Sequence, residues 1–146
     1  MKVNLFVSRD IKEPHADIHT NELTENVTKA ISILENDDAS DMLAVKRGSD
    51  IALLELSEIF MLRVEDKQVK VYTNNDEYLI KKPLYQVEEN LSSDFVRISK
   101  TTIVNLKKIE RVAPSLKGMM FIQLKNGLKD NISRKYLPEF KQALDL

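Results

Sequence analysis

Phe95-Val-Arg-Ile-Ser-Lys-Thr-Thr-Ile-Val-Asn105 is the stretch on which the reading of this chain turns. Residues 95–98 are apolar and β-prone enough for a short strand, and Asn105 marks the restart of regular structure. Between them Ser99, Lys100, Thr101 and Thr102 supply one cation and three hydroxyls. Hydroxyls, lysine ammonium groups and free loop N–H groups bind phosphate oxygens, and lysine also reaches the acceptor edge of guanine. A plain solvated loop is built from the same residues, so the segment needs support from its neighbours.

That support begins downstream. Asn126-Gly127 reads as a type I′ hairpin turn, positive in φ at both central residues, leading into a strand over residues 128–133. A short helix over residues 138–144 follows, burying Phe140 and Leu144, with Ser133 able to cap its N-terminus. Arg134 and Lys135 then stand at a helix N-terminus, where the dipole disfavours cations but draws anions. The mismatch suits a site that takes up an anion, and Arg134 has the fork for bidentate bonding to guanine or phosphate.

Working upstream, the texture is of short β-runs. Residues 42–46 and 50–54 flank Arg47-Gly48-Ser49 as a hairpin. Residues 59–64, 69–73 and 78–80 read as a meander with turns at 65–68 and 74–77. Residues 83–91 form a short helix with Pro83 in its first turn. Residues 108–114 and 119–125 are strands around Lys117-Gly118. Nearer the start, residues 2–7 alternate as a strand does, and residues 11–20 have room for a second. Residues 21–35 give a helix with Leu23, Val27, Ala30, Ile31 and Leu34 on one face. The polar, acidic run 36–41 is the expected linker. The fold class expected is mainly β (α+β), with a strand-helix extension over 1–40 and the principal domain over 41–146.

Composition narrows the function. The 146 residues suit one domain with an appendage, and the absence of cysteine removes disulfides and thiolate chemistry. No apolar run approaches the roughly 20 residues that span a bilayer, so no membrane insertion and a cytoplasmic location are expected. Net charge is −1, yet residues 81–146 hold a net +6 and residues 1–80 a net −7. Such asymmetry points to nucleic acid or another acidic partner. His15, Asp17 and His19 could clamp a metal, but no further His or Cys completes the set, and a solvated segment is the simpler reading. No serine has a histidine near it in sequence, and three glycines at turns build no phosphate-cradling loop. Neither an enzyme nor a cofactor is expected.

Residues from about 51 to 144 resemble the LytTR DNA-binding domain of bacterial transcription regulators. The resemblance runs through Ile59-Phe-Met-Leu62, Tyr78-Leu-Ile80, Leu84 to Leu91, Phe95-Val-Arg97, Ile103-Val-Asn105, Ile109, Leu124-Lys-Asn-Gly127 and Ile132-Ser-Arg134. It implies several small sheets in an elongated sandwich, with loops rather than a recognition helix entering successive major grooves of double-stranded DNA. The implied contacts are Ser99, Lys100 and Thr101, then Ser133 and Arg134, and Lys67 and Gln68 from the first meander turn; Lys135 joins them as the second cation of the corner. Many members carry His at the start of the first turn where this chain has Ser99, which leaves the operator open. The short N-terminal region cannot build a receiver domain. The chain therefore resembles stand-alone regulators that bind promoter repeats as homodimers and are often restrained by a small membrane protein partner. Lys107, Lys108 and Arg111 are assigned to phosphate contacts or solubility, and Asn105 to holding the turn's backbone. The rival reading is a non-enzymatic interaction module that binds a partner through a sheet edge or the N-terminal helix.

Overall fold

The computed structural model describes residues 1–35 and 42–146. The expected linker 36–41 and the domain boundary at residue 40 lie outside the described residues. The chain divides into two compact units, Met1–Ala39 and Ser40–Leu146.

The first unit holds one helix, α1 (Glu25–Glu35). It starts four residues later than periodicity alone suggests because the Thr24 hydroxyl accepts the N–H of Val27 at 3.3 Å, the bond an N-cap makes to the third helical residue. Glu25 sits in the first turn and pairs with Lys29 at 3.4 Å. The strand expected over 2–7 is not formed, nor the one over 11–20. Alternation supplies a pattern of side chains, but a strand also needs a neighbour to take its N–H and C=O groups. Val3, Leu5, Phe6 and Val7 are all exposed.

The second unit is β-rich. Its elements run β1 (Met42–Arg47), β2 (Asp50–Glu55), β3 (Met61–Glu65), β4 (Gln68–Tyr72), β5 (Glu77–Ile80), α2 (Leu84–Glu88), β6 (Phe95–Arg97), β7 (Thr102–Asn105), β8 (Ile109–Pro114), β9 (Met120–Leu124), β10 (Lys129–Ile132) and α3 (Leu137–Ala143). Seven strands form one antiparallel sheet in the order β2-β1-β5-β4-β3-β7-β6, and three form a second in the order β10-β9-β8. The expected mainly β, multi-sheet architecture with short helices is present.

Two apolar layers explain the sequence. Leu62, Val69, Val71 and Ile103 pack with Leu84 and Val87 of α2 on one side of the larger sheet. Met61, Tyr72 and Val104 pack on the other side with Ile122, Leu124, Ile132 and Phe140. The inner strands are thus covered on both faces, which is why Ile59-Phe-Met-Leu62 and Ile103-Val104 are unbroken apolar runs. Phe140 is wholly buried and anchors α3. A side chain of that size contributes about 2–3 kcal/mol on burial.

Two local expectations are corrected. Asn126-Gly127 is not a two-residue I′ turn, because only Gly127 takes positive φ, at 90°. The Gly127 N–H bonds to the Leu124 carbonyl (3.0 Å) and the Leu124 N–H to the Leu128 carbonyl (2.8 Å), which makes a three-residue loop with a glycine bulge. The Asn126 side chain explains the choice: its amide donates to the Thr73 carbonyl and its oxygen accepts the Leu128 N–H. Nor does Ser133 cap α3. A turn intervenes, closed by the Tyr136 N–H on the Ser133 carbonyl, and Tyr136 precedes the helix without a side-chain cap. Arg134 and Lys135 therefore lie in that turn and not at the helix N-terminus.

Candidate nucleic-acid interface

Strand direction places three loops at one end of the larger sheet. β3 runs towards the Asp66-Lys67 turn, and β7 begins beside it, Thr102 opposite Arg63. The turn formed by residues 99–101 therefore emerges next to the end of β3, where the Val64 N–H donates to the Thr101 carbonyl at 2.8 Å. From the smaller sheet, the Ser133 N–H donates to the Ile98 carbonyl at 2.9 Å. The corner before α3 is thus bonded directly to the base of the 99–101 turn. Residues up to 70 positions apart in sequence are brought together by two backbone hydrogen bonds, roughly that distance being the span from Val64 to Arg134.

The turn has a defined shape. Ile98 N–H donates to the Thr102 carbonyl at 3.0 Å, and the Thr101 N–H to the Ser99 hydroxyl at 3.2 Å. Arg97 holds it from below: its guanidinium donates to the Lys100 carbonyl at 2.7 Å and to Glu88 of α2 at 2.8 Å. Lys100 and Thr101 are exposed and Ser99 half-buried. Thr102 is buried and donates to Asp130, so it belongs to the frame and only two of the three hydroxyls face outward.

On the neighbouring corner Arg134 and Lys135 are exposed and Ser133 half-buried. The Arg134 stem passes Gly118, where an added Cβ would stand 3.1 Å from Arg134 Cδ. Lys135 Nζ lies 5.7 Å from the Tyr136 ring centroid. In the third loop Asp66 and Lys67 take positive φ, 51° and 63°. These are the I′ geometry expected at residue 126, adopted here without a glycine. Left-handed backbone at a lysine carries strain of about 1–2 kcal/mol, and such strain gathers where loops are used. Lys67 and Gln68 are both exposed.

Behind the loops lies a polar brace between the sheets. Arg63 donates to Asp130 at 2.9 Å and to the Lys129 carbonyl at 3.2 Å, with Glu65 at 3.4 Å. Glu65 also accepts from the Tyr72 hydroxyl and pairs with Lys70 at 3.1 Å. Burial works against the Glu65 carboxylate, but hydrogen bonds from Lys70, Tyr72 and Arg63 outweigh it and hold the group below its ordinary range. Burial and the Glu65 hydrogen bond together raise Tyr72.

Asn105 is buried, but it sits at the other end of β7. Its amide donates to the Ile59 carbonyl and its oxygen accepts the Lys107 N–H, so it fixes the turn over Leu106–Lys108 and not the 99–101 turn. Lys107 at this far end pairs with Asp94, and Lys108 lies over the Phe60 ring. Arg111 bonds to Gln123 and lies over Phe121. Sequence reasoning passed over Lys81 and Lys82, which the structure puts at the loop end of the sheet. Their doublet before Pro83 is visible, but a solvated turn has the same appearance. Among the described residues no group of three or more His, Cys, Asp or Glu is placed to hold a metal, and His15 is exposed with Nδ1 3.4 Å from the Glu13 carbonyl. Among them also, no helix is long and apolar enough to cross a membrane.

The family model described as the LytTr DNA-binding domain matches residues 49–145. This chain belongs to the LytTR family. A LytTr DNA-binding domain from Bacillus cereus superposes with a TM-score of 0.68 at 22% identity, over 72% of this chain and 97% of that one. Two relatives named uncharacterized HTH-type transcriptional regulators come from Staphylococcus aureus. That of strain NCTC 8325 is 32% identical over 100% of this chain and 99% of its own length. That of strain N315 is 31% identical over the same shares. The helix-turn-helix in those names has no counterpart among the described residues. Strands separate α1, α2 and α3, so no two α-helices are consecutive among the described residues. In this LytTR domain it is loops that stand out from the sheet end.

Proposed function

We propose that this LytTR protein is a sequence-specific transcriptional regulator that reads the major groove of double-stranded DNA through loops. The observation that carries the reading is the junction of the 99–101 turn with both other loops, through the Val64–Thr101 and Ser133–Ile98 backbone bonds. Lys100, Arg134 and Lys135 supply charge, and Ser99, Thr101 and Ser133 supply hydroxyls. Lys67 and Gln68 extend the surface from the neighbouring hairpin. Arg134 is assigned to base edges, because a guanidinium fork matches O6 and N7 of guanine. The protein acts without enzymatic chemistry, in the cytoplasm, as a homodimer on promoter repeats. The unit Met1–Ala39 serves as the dimer surface or as the dock for a restraining membrane protein.

The test is fluorescence anisotropy with the DNA upstream of the protein's own coding region and a shuffled control, each at two salt concentrations. Tighter binding to the native fragment that weakens steeply with salt is expected, because phosphate neutralisation releases counterions. Equal, negligible binding to both fragments would refute the DNA reading and favour an interaction module.

A further inference from the structure

The connection from β5 to α2 is only Lys81-Lys82-Pro83, strung between two buried residues, Ile80 and Leu84. Ile80 pairs with Val69, so the connection emerges beside the Asp66-Lys67 turn. Pro83 takes φ −59° and its carbonyl accepts the N–H groups of Gln86 and Val87, which fixes the exit into α2. The two lysines are exposed, and among the described residues neither has a carboxylate partner. With Lys67 and Gln68 they line a groove of about 460 Å³.

The charges around this groove leave it positive. Glu65 is engaged by Arg63, Lys70 and Tyr72, and Glu88 by Arg97. Asp66, exposed at the tip of the turn, is the remaining carboxylate of that hairpin. Three lysines with tethered backbones thus stand at the sheet end that also carries Lys100. Their spread across the ends of β3, β4 and β5 suits a row of anions better than a single one, and they present no planar fork for reading a base.

We propose that Lys81 and Lys82 form a phosphate rail with Lys67, gripping the DNA backbone that flanks the bases read by the loops. The proposal rests on the DNA-binding reading above and adds a sequence-independent contact to it. Each phosphate neutralised contributes about 0.9 to the slope of log affinity against log salt. Two lost contacts lower the slope's magnitude by about 2 and weaken binding roughly 10–30-fold near 0.15 M salt.

The experiment compares wild type, the double variant Lys81→Gln/Lys82→Gln and the control Lys81→Arg/Lys82→Arg in anisotropy titrations on the native and shuffled fragments across a salt series. A smaller slope, with the same factor lost on both fragments and recovery in the arginine control, is expected. The melting temperature should match wild type in both variants, since the side chains are exposed and unpaired. An unchanged slope in the glutamine variant, with wild type still preferring the native fragment, would overturn the rail and leave the regulator reading intact. A loss confined to the native fragment would also overturn it, because that is the mark of base readout. Failure of wild type to bind any duplex would remove the regulator reading and the rail together.

Discussion

Arg134 reaches into solvent with its stem against Gly118, and among the described residues no carboxylate engages its guanidinium. A long cation held at its stem and free at its head is prepared for a partner from outside. Arg134→Ala should therefore leave the melting temperature alone and weaken binding to the native fragment by about 1–3 kcal/mol, the worth of one bidentate base contact. Unchanged discrimination between native and shuffled DNA would remove Arg134 from the reading surface. Asn105 is the opposite case, a polar side chain buried to 2% exposure with both ends of its amide bonded. Asn105→Ala strands the Ile59 carbonyl and the Lys107 N–H, at a cost of about 1–3 kcal/mol. Thermal unfolding should show a melting temperature lower by several degrees, whereas an unshifted transition would mean that water replaces the amide at no cost.

At the scale of elements, the brace joins β3 and β4 to β10. It fixes the larger sheet against the smaller, and with it the 99–101 turn against the 133–135 corner. Its pH response follows from Glu65. The folded carboxylate titrates below its ordinary value of 4.5, so the stabilisation it gives is complete above that pH and is lost as pH falls through the folded value. Urea unfolding at a series of pH values should show stability declining below about pH 4.5. In Glu65→Gln that part of the decline should be absent, and equal slopes in the two proteins would show that other carboxylates carry it. The strands of this frame were legible in the sequence because both-face burial writes unbroken apolar runs and because hairpin turns interrupt them. The segment 2–7 carried an equally clear alternation and formed no strand, since a sequence pattern cannot state whether a neighbour is present. The same limit hid the loop at Asn126, whose amide is committed to Thr73 more than 50 residues away. The basic turn was legible as one cation and three hydroxyls in four residues. That Thr102 faces inward depends on Asp130, a contact across two sheets that local spacing does not contain.

For the molecule as a whole, the 66–67 and 99–101 turns stand at one end of the larger sheet and the 133–135 corner of the smaller sheet is bonded to the base of the latter, so the proposed reading surface occurs once per chain. A regulator that recognises two repeats needs that surface twice, with the copies related as the repeats are related. Charge supports the same economy: the chain is nearly neutral at −1, and the cations assigned to DNA are concentrated at the loop end. One copy, gripping phosphates with Lys67, Lys81, Lys82, Lys100 and Lys135, would show a slope of roughly −4 to −5 in log affinity against log salt. Two copies on a full site would approach twice that. Sedimentation of the protein with a fragment carrying both repeats should therefore give two chains per duplex, and a fragment cut to one repeat should give one chain with about half the salt slope. A single chain on the full fragment, with the slope of the half-site, would show that one LytTR domain suffices and that the unit Met1–Ala39 has its use with another partner.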